Sequence, residues 1–287
     1  MTAKEINQRY LDTMRFSTSS EKVLERIKEL WWPHFERCFS KKGPSKVLDS
    51  LDISMGSGRI RLNEMATQYA RDQGANEGTS RHIQLAGQFL KSNTGKMFES
   101  FIGLAFAHAL SEANSSYCIM PFRNNNLSLC WGTAPESLEV VVKTNRTAYV
   151  SKIDADLFCF NPTNPEADIY LVSIKSTLKD RFHNVPFWNL LRHAAVSRVM
   201  PNLHAKDESF LRKVKYVAIC SDLAAEQPDF SSEDGPRNLL SLDASLLDAA
   251  YVSSSRAKGL GTGKNHMGLE RDFPFFPLSS FYAHLSN

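Results

Sequence analysis

Two apolar segments separated by a turn, Val150 to Phe160 (VSKIDADLFCF) and Asp168 to Thr177 (DIYLVSIKST), constrain the fold of this chain more than any other stretch. Both are rich in β-branched and aromatic residues, which suit the pleated, half-buried surface of a strand. Between them, Asn161-Pro162-Thr163-Asn164-Pro165 is a turn signal. They are expected as a hairpin or as neighbouring strands. Pairing brings the acids of the first, Asp154 and Asp156, toward the end of the second, where Ser173 and Lys175 share a face because they lie two apart.

The rest of the chain reads as helix before this pair and as mixed structure around it. From Glu5 to about Leu90 the spacing is helical: Val23, Ile27, Leu30 and Trp31 form one face, and Ile60, Met65 and Tyr69 are expected to form another. Lys42-Gly43-Pro44 and Gly74 to Gly78 are breaks. Ser92-Asn93-Thr94-Gly95 resembles a helix start, followed by Phe98, Phe101, Ile102, Ala105, Phe106 and Ala109 on one apolar face, with Glu99 in the first turns. Short apolar runs follow (Tyr117 to Phe122, Leu127 to Trp131, Leu138 to Val142, Lys215 to Cys220), with a helix from about Phe187 to Met200. The tail is expected as loops (Ser221 to Arg237, Ser253 to Asn265) with short helices near Asn238 to Ala249 and Ser279 to Ser286. The predicted class is α/β: a mixed central sheet flanked by helices, with a helical N-terminal region over 1–90 and the core over 91–287, together one compact unit. A chain of 287 residues is long enough to bury a substantial core.

Charge and cysteine usage narrow the function classes. The 34 Lys+Arg against 31 Asp+Glu give a net charge of +3, short of the excess found in non-specific nucleic-acid binders, so any DNA contact must come from local clustering. Cys38, Cys118, Cys130, Cys159 and Cys220 are an odd number without a CxxC pair, which argues against a disulfide framework or a zinc knuckle and for a reducing cytosol. The first residues lack an apolar signal core, and the most apolar helical stretch, Met97 to Leu110, is too short to span a bilayer and carries Glu99 and His108. A soluble, intracellular protein is expected.

Hydrolysis of a phosphodiester by a divalent metal needs a carboxylate to hold the ion, a cation near the attacking water or the scissile phosphate, and commonly a second carboxylate. Asp156 and Lys175 supply the first two. An Asp followed by (Asp/Glu)-x-Lys on the adjacent strand resembles the PD-(D/E)xK nuclease motif, here with Ser173 in the place of the middle acid. The longer string Ser173-Ile174-Lys175-Ser176-Thr177-Leu178-Lys179-Asp180-Arg181 resembles the type II restriction endonucleases that recognise CCGG or CCNGG, the EcoRII/NgoMIV type. In that group Ser-x-Lys replaces Glu-x-Lys, and a cluster resembling Arg-(Asp/Glu)-Arg reads the C:G pairs. Lys179-Asp180-Arg181 stands at that offset, with lysine for the first arginine. The chemistry suits the role, since an arginine presents a fork to guanine O6 and N7 and an aspartate accepts from cytosine N4. The group also carries an acid on an earlier helix in a string resembling (Thr/Ser)-Gly-x-x-Phe-Glu, which Thr94-Gly95-Lys96-Met97-Phe98-Glu99 matches. The further acid that many members place a dozen residues past the Lys has no counterpart, because no Asp or Glu lies between Arg181 and Lys206. The resemblance covers Thr94 to Arg181.

The resemblance implies a Mg²⁺-dependent type II restriction endonuclease that cuts double-stranded DNA at a palindromic site with a CCGG- or CCNGG-like core, in a prokaryotic cytoplasm. Its catalytic residues are then Glu99, Asp156, Ser173 and Lys175, with Asp156 and Glu99 on the metal and Lys179, Asp180 and Arg181 on the bases. A two-fold protein matches a palindrome, so a homodimer is expected, with pairing into tetramers left open. Two other readings remain: a repair or structure-specific nuclease on the same scaffold, and a catalytically silent DNA-binding protein. Each residue also has a plainer reading. Asp154 competes with Asp156, which is preferred for its place beside Leu157-Phe158-Cys159-Phe160. Lys175 and the charged triplet can be solvated, and Glu99 can stabilise a helix N-terminus. Ser173 reads as a space-filler rather than a nucleophile, and His183, Arg192 and His193 as structural or surface groups before phosphate ligands. Gly259 to Lys264 departs from a P-loop and reads as a flexible loop, Met55 to Arg59 as a turn before a helix, and Phe273 to Pro277 as packing.

Overall fold

The computed structural model describes residues 1–16, 21–175, 184–221, 244–255, 261–264, 270–273 and 275–287. Its first part is helical, as the spacing predicts. Helix α1 (Ala3–Arg15) starts in a capping box between Thr2 and Glu5 and buries Ile6, Tyr10, Leu11 and Met14. Helix α2 (Lys22–Arg26) passes through one wide π turn (Ile27–Trp31) into α3 (Trp32–Lys42). Gly43, at φ 77°, ends that run, and Pro44 begins α4 (Pro44–Leu48). Then come α5 (Leu51–Gly56), α6 (Arg59–Asp72) and, after a turn carrying Gly74 and Gly78 at positive φ, α7 (Ser80–Glu112).

Two helical expectations need correction. The buried stripe of α6 is Leu62, Ala66 and Ala70, whereas Ile60 is 76% exposed, Met65 is half-buried and Tyr69 lies at the margin with its ring against Phe89 of α7. Small residues at i and i+4 let α6 lie close against α7, and that packing outweighs the larger apolar residues. Nor does a helix begin at Ser92. Helix α7 runs straight through, because it starts at Ser80, where Thr79 caps it by accepting the His82 N–H at 3.2 Å. Asn93 turns its side chain back onto the Phe89 carbonyl at 2.7 Å, which is a mid-helix use of a capping residue. The predicted apolar face is real: Phe98, Phe101, Ile102, Ala105, Phe106 and Ala109 are all fully buried. Each phenylalanine contributes about 1.5–3 kcal/mol of burial.

After α7 the described residues build three sheets. In order come β1 (Cys118–Pro121), the short α8 (Asn124–Leu127), β2 (Glu139–Lys143), β3 (Ala148–Lys152), β4 (Leu157–Phe160) and β5 (Ile169–Lys175). They are followed by α9 (Asn184–Ser197), β6 (Leu203–Ala205), α10 (Glu208–Lys213), β7 (Val214–Cys220) and β8 (Ala249–Val252). The last elements are β9 (Gly261–Lys264), β10 (Glu270–Phe273), β11 (Phe276–Pro277) and α12 (Leu278–Ser286). The central sheet has the order β1-β4-β5-β7-β8-β11, antiparallel from β1 to β5 and parallel from β5 to β11. Strand alternation divides the core in two. Leu157, Cys159, Tyr170, Val172, Ile174, Val217 and Ile219 pack toward α1, α7 and α12, while Phe158, Phe160, Ile169, Leu171, Tyr216 and Ala218 face the side of α9 and α10.

The predicted pair of strands is found, with Leu157 opposite Val172, but its first member is two strands. At Ile153 the N–H bonds to the Leu138 carbonyl, so β3 belongs to a second sheet of order β3-β2-β6, and pairing with β5 starts only at Asp156, whose N–H reaches the Val172 carbonyl. Leu127 to Trp131 is no strand either. Asn126 ties to the Pro121 carbonyl and Trp131 adopts φ 53°, which makes a helical turn and a tight bend. Residues 261–264, expected as loop, pair antiparallel with 270–273. All five cysteines are free thiols, and no described helix is long and apolar enough to cross a membrane.

One glycine fixes how closely α7 approaches the sheet. A Cβ on Gly103 would lie 2.5 Å from the Tyr10 hydroxyl and 3.1 Å from Leu157 Cδ2. Gly103→Ala should therefore lower stability by about 1–3 kcal/mol in urea unfolding, although alanine is the better helix former. Tyr10→Phe, which removes the closest atom, should reduce that penalty. A Gly103→Ala protein as stable as the parent would show that the contact is slack.

Candidate active site

The end of β5, the start of β4 and the middle of α7 meet at one edge of the central sheet. Asp156 is held by its backbone before its side chain does anything: its N–H donates to Val172 O at 2.9 Å and its carbonyl accepts from Phe122 N–H at 3.0 Å. The carboxylate then draws in the whole Ser-Ile-Lys string. Its Oδ2 accepts from Ile174 N–H at 2.6 Å, Lys175 Nζ at 3.3 Å and Ser173 Oγ at 3.4 Å. No donor among the described residues engages Oδ1. Lys175 also donates to the Ile174 carbonyl at 3.0 Å, so its ammonium is fixed at two points and only partly exposed.

Between the two acids of that segment, the structure turns Asp156 and not Asp154 toward Lys175. Asp154 is exposed and contributes its main-chain carbonyl, which accepts from the Tyr216 hydroxyl. Glu99 joins from α7. It lies one turn before Gly103 and so on the same face of the helix as the glycine that packs on Leu157, the neighbour of Asp156. The electrostatics record this neighbourhood: Glu99 is pushed up to about 7, first by burial and next by the Asp156 charge, with Lys175 and Lys96 pulling the other way. Glu99 is well inside the helix, so the helix-terminus reading does not apply.

Tyr216 was not evident in the sequence. It faces the same side as Ser173 because β5 and β7 pair in parallel with Ser173 opposite Ala218, and its hydroxyl lies beside Ser173 and Asp154. Burial holds its phenol far above the usual range, so it stays a neutral donor. Its backbone is anchored in turn. The Tyr216 N–H donates to Asp248 Oδ2 at 2.7 Å, and that carboxylate pairs with Arg192 at 2.8 Å. Arg192 is 4% exposed and also donates to Asn189 Oδ1 and to the Val214 carbonyl, so it faces inward as a structural cation and not toward a phosphate. Lys179, Asp180, Arg181 and His183 lie outside the described residues.

Among the described residues no group of three or more His, Cys, Asp or Glu side chains gathers as a metal cage. The two carboxylates here suit a different kind of site. Mg²⁺ takes oxygen donors and is commonly held by one or two carboxylates plus phosphate oxygens and water. Asp156 and Glu99, near enough for the charge of one to raise the pKa of the other, supply the hard carboxylate oxygens that such an ion takes.

No protein-family model matches the sequence, and no curated protein matches it. Among solved structures the chain resembles a complex of restriction endonuclease PspGI with substrate DNA, at 14% identity and a TM-score of 0.42, over 84% of this chain and 78% of that one. It also resembles a pre-specific complex of restriction endonuclease BsaWI with DNA, at 13% identity and a TM-score of 0.35, over 99% of this chain and 90% of that one.

The raised Glu99 has a consequence for stability. Below the ordinary carboxyl range Glu99 is protonated in both folded and unfolded chains; between there and about 7 only the folded chain keeps the proton, so stability contributed by the neutral form is lost as pH rises through that window. In metal-free buffer, Glu99→Gln should gain Tm relative to the parent as pH goes from 4.5 to 8. A Tm difference that stays constant over that range would show that Glu99 is solvated.

Proposed function

We propose that this chain is a Mg²⁺-dependent type II restriction endonuclease that hydrolyses both strands of duplex DNA at a palindromic site with C:G pairs in its core. The observation that supports this best is the convergence of Ser173, Ile174 and Lys175 on one oxygen of Asp156, with Glu99 near enough on α7 to feel the charge of that carboxylate. The string resemblance from Thr94 to Arg181 points the same way.

In this reading Asp156 and Glu99 hold the cation, and when bound it supplies Lewis-acid stabilisation of the phosphate and lowers the pKa of a coordinated water. Lys175 orients the attacking water and places its ammonium where negative charge builds on the phosphate. The oxygen of water bonds to phosphorus as the bond to the leaving sugar oxygen breaks, leaving one phosphate end and one hydroxyl end. Ser173 and Tyr216 act behind the reacting atoms: the serine steadies the Asp156 carboxylate, and the tyrosine pins the Asp154 carbonyl and with it the segment that carries Asp156. Lys179, Asp180 and Arg181, directly after the catalytic lysine, read the base edges, and a homodimer presents two copies to the two half-sites.

Plasmid DNA incubated with purified protein and Mg²⁺ should give discrete fragments. Lys175→Ala and Asp156→Ala should each reduce the rate on the order of 100-fold or more. Undiminished cutting by either variant sinks the catalytic assignment. Sequence-specific retention of DNA by the parent, with no cleavage under any divalent metal, would instead identify a silent DNA-binding protein. Arg181→Ala should cost about 1–3 kcal/mol of sequence discrimination, read from cleavage of cognate against single-substitution sites; equal discrimination rules out the triplet as the reader.

A further inference from the structure

The second sheet carries a feature that the site does not use. Strands β2 and β3 form a hairpin closed by a two-residue turn at Asn145-Arg146, in which the Thr144 N–H donates to the Thr147 carbonyl at 2.8 Å. The Thr144 hydroxyl braces the same turn, accepting from the Thr147 N–H at 3.1 Å and donating to its carbonyl at 2.9 Å. Every residue from Val142 to Ser151 is exposed. The change along one face is abrupt: Val140 is fully buried at the root, whereas Val142, two residues on, and its cross-strand partner Tyr149 are 37% and 63% exposed. Strand β6 accompanies β2 as far as Val142, and the Lys143 N–H donates to the Asn202 carbonyl at 2.8 Å, so beyond that point the tip of the hairpin projects by itself.

Its charge is one-sided. Between Glu139 and Asp154 there is no acid, and Lys143, Arg146 and Lys152 are all cationic. Glu139, at the root, is already paired with Lys206 at 2.9 Å. Lys143 and Lys152 share one face, flanking Ala148 and Val150, and Arg146 sits at the tip. Neither Lys143 nor Arg146 has an ion-pair partner among the described residues. The ribbon is also tied to the site by the chain itself, since Lys152 is separated from Asp156 only by Ile153, Asp154 and Ala155.

We infer that this ribbon is a DNA-binding arm that lies along the duplex beside the cut and contacts its phosphates through Lys143 and Arg146. The inference rests on the nuclease reading above. The tip past Lys143 is two-stranded, and a two-stranded β-ribbon fits a B-DNA major groove. From Lys152 to Arg146 it spans roughly 20 Å at ~3.4 Å per residue, or about six base pairs, so the arm extends the contact surface past the recognition core on one side. An exposed edge strand such as β3 can also pair with its copy in a second chain. That occupant is disfavoured, because two arms carrying three cations and no acid repel one another, whereas a polyanion is drawn to both.

The test uses the full-length protein bound to a cognate duplex with Ca²⁺ in place of Mg²⁺, and measures affinity over a range of salt concentrations. Lys143→Ala/Arg146→Ala should weaken binding tens-fold near 0.1 M salt and reduce the slope of log K against log salt by about 2, with Tm and cognate preference unchanged. Lys143→Glu/Arg146→Glu should weaken binding further, and protection of DNA from hydroxyl radicals should shorten on the flank of the site. A double-alanine variant with the parent's affinity and slope overturns the arm while leaving the nuclease reading standing. So does a variant whose DNA binding is intact but whose sedimentation shows a lost dimer, because that assigns the ribbon to a second copy. A parent protein that retains no duplex DNA removes the nuclease reading and the arm with it.

Discussion

The missing side chain at Gly103 sets the spacing between α7 and β4, and the geometry of the candidate site follows from that spacing. A helix lying on a sheet normally keeps a side chain's breadth away. Here the Tyr10 ring and Leu157 fill the place where a Cβ would stand, and the helix comes in by that margin. Glu99, one turn before Gly103, is carried toward the sheet with it, and the charge of Asp156, the neighbour of Leu157, reaches it there. Burial first, and the Asp156 charge second, push Glu99 up to about 7, so the helix carries this acid into the sheet at a cost. The packing of Phe98, Phe101 and Phe106 below holds the helix in place against it.

A second constraint acts from the other face of the sheet. Arg192, Asp248 and Tyr216 form a continuous polar chain from α9 through the β8 edge to the β7 backbone, ending at the carbonyl of Asp154. A buried arginine is tolerated only when its donors are used, and Arg192 uses them on Asn189, Asp248 and the Val214 carbonyl. The result is a short, fixed segment between β3 and β4. Asp156 is therefore presented by backbone bonds on both sides and by a pinned carbonyl two residues earlier, with little freedom to wander. Rigid placement of this kind is what a group needs if it is to act at a phosphate without reorganising first.

What the sequence revealed and what it hid divide along physical lines. The pairing of the two apolar strands, the face of α7 from Phe98 to Ala109 and the convergence on Asp156 were legible, because each depends on a local period or on a string of adjacent residues. The start of α7 was not. Ser92-Asn93-Thr94-Gly95 has the composition of a cap, and only the commitment of Asn93 to the Phe89 carbonyl distinguishes the middle of a helix from its beginning. Tyr216 was hidden for a different reason. Its role comes from the parallel register of β7 on β5, a long-range fact that no window of sequence contains. The split of the first strand at Ile153 was hidden likewise, since it depends on the hydrogen bond to Leu138.

Ser173 in the place of a carboxylate bears on how many cations the proposed site takes. With glutamate there, the cluster would hold three acids against one lysine, a charge that invites two divalent ions. With serine, the described residues hold two acids against one lysine, and a single divalent ion already leaves the cluster positive enough to receive a phosphodiester. Serine also changes the geometry. A third carboxylate would compete with Asp156 for Lys175 and for the Ile174 N–H, whereas the hydroxyl adds to the bonds on Oδ2 and leaves Oδ1 without a donor among the described residues. In the proposed metal-dependent reading the exchange trades ligand number for orientation, and Glu99 is the acid left to serve as a second ligand.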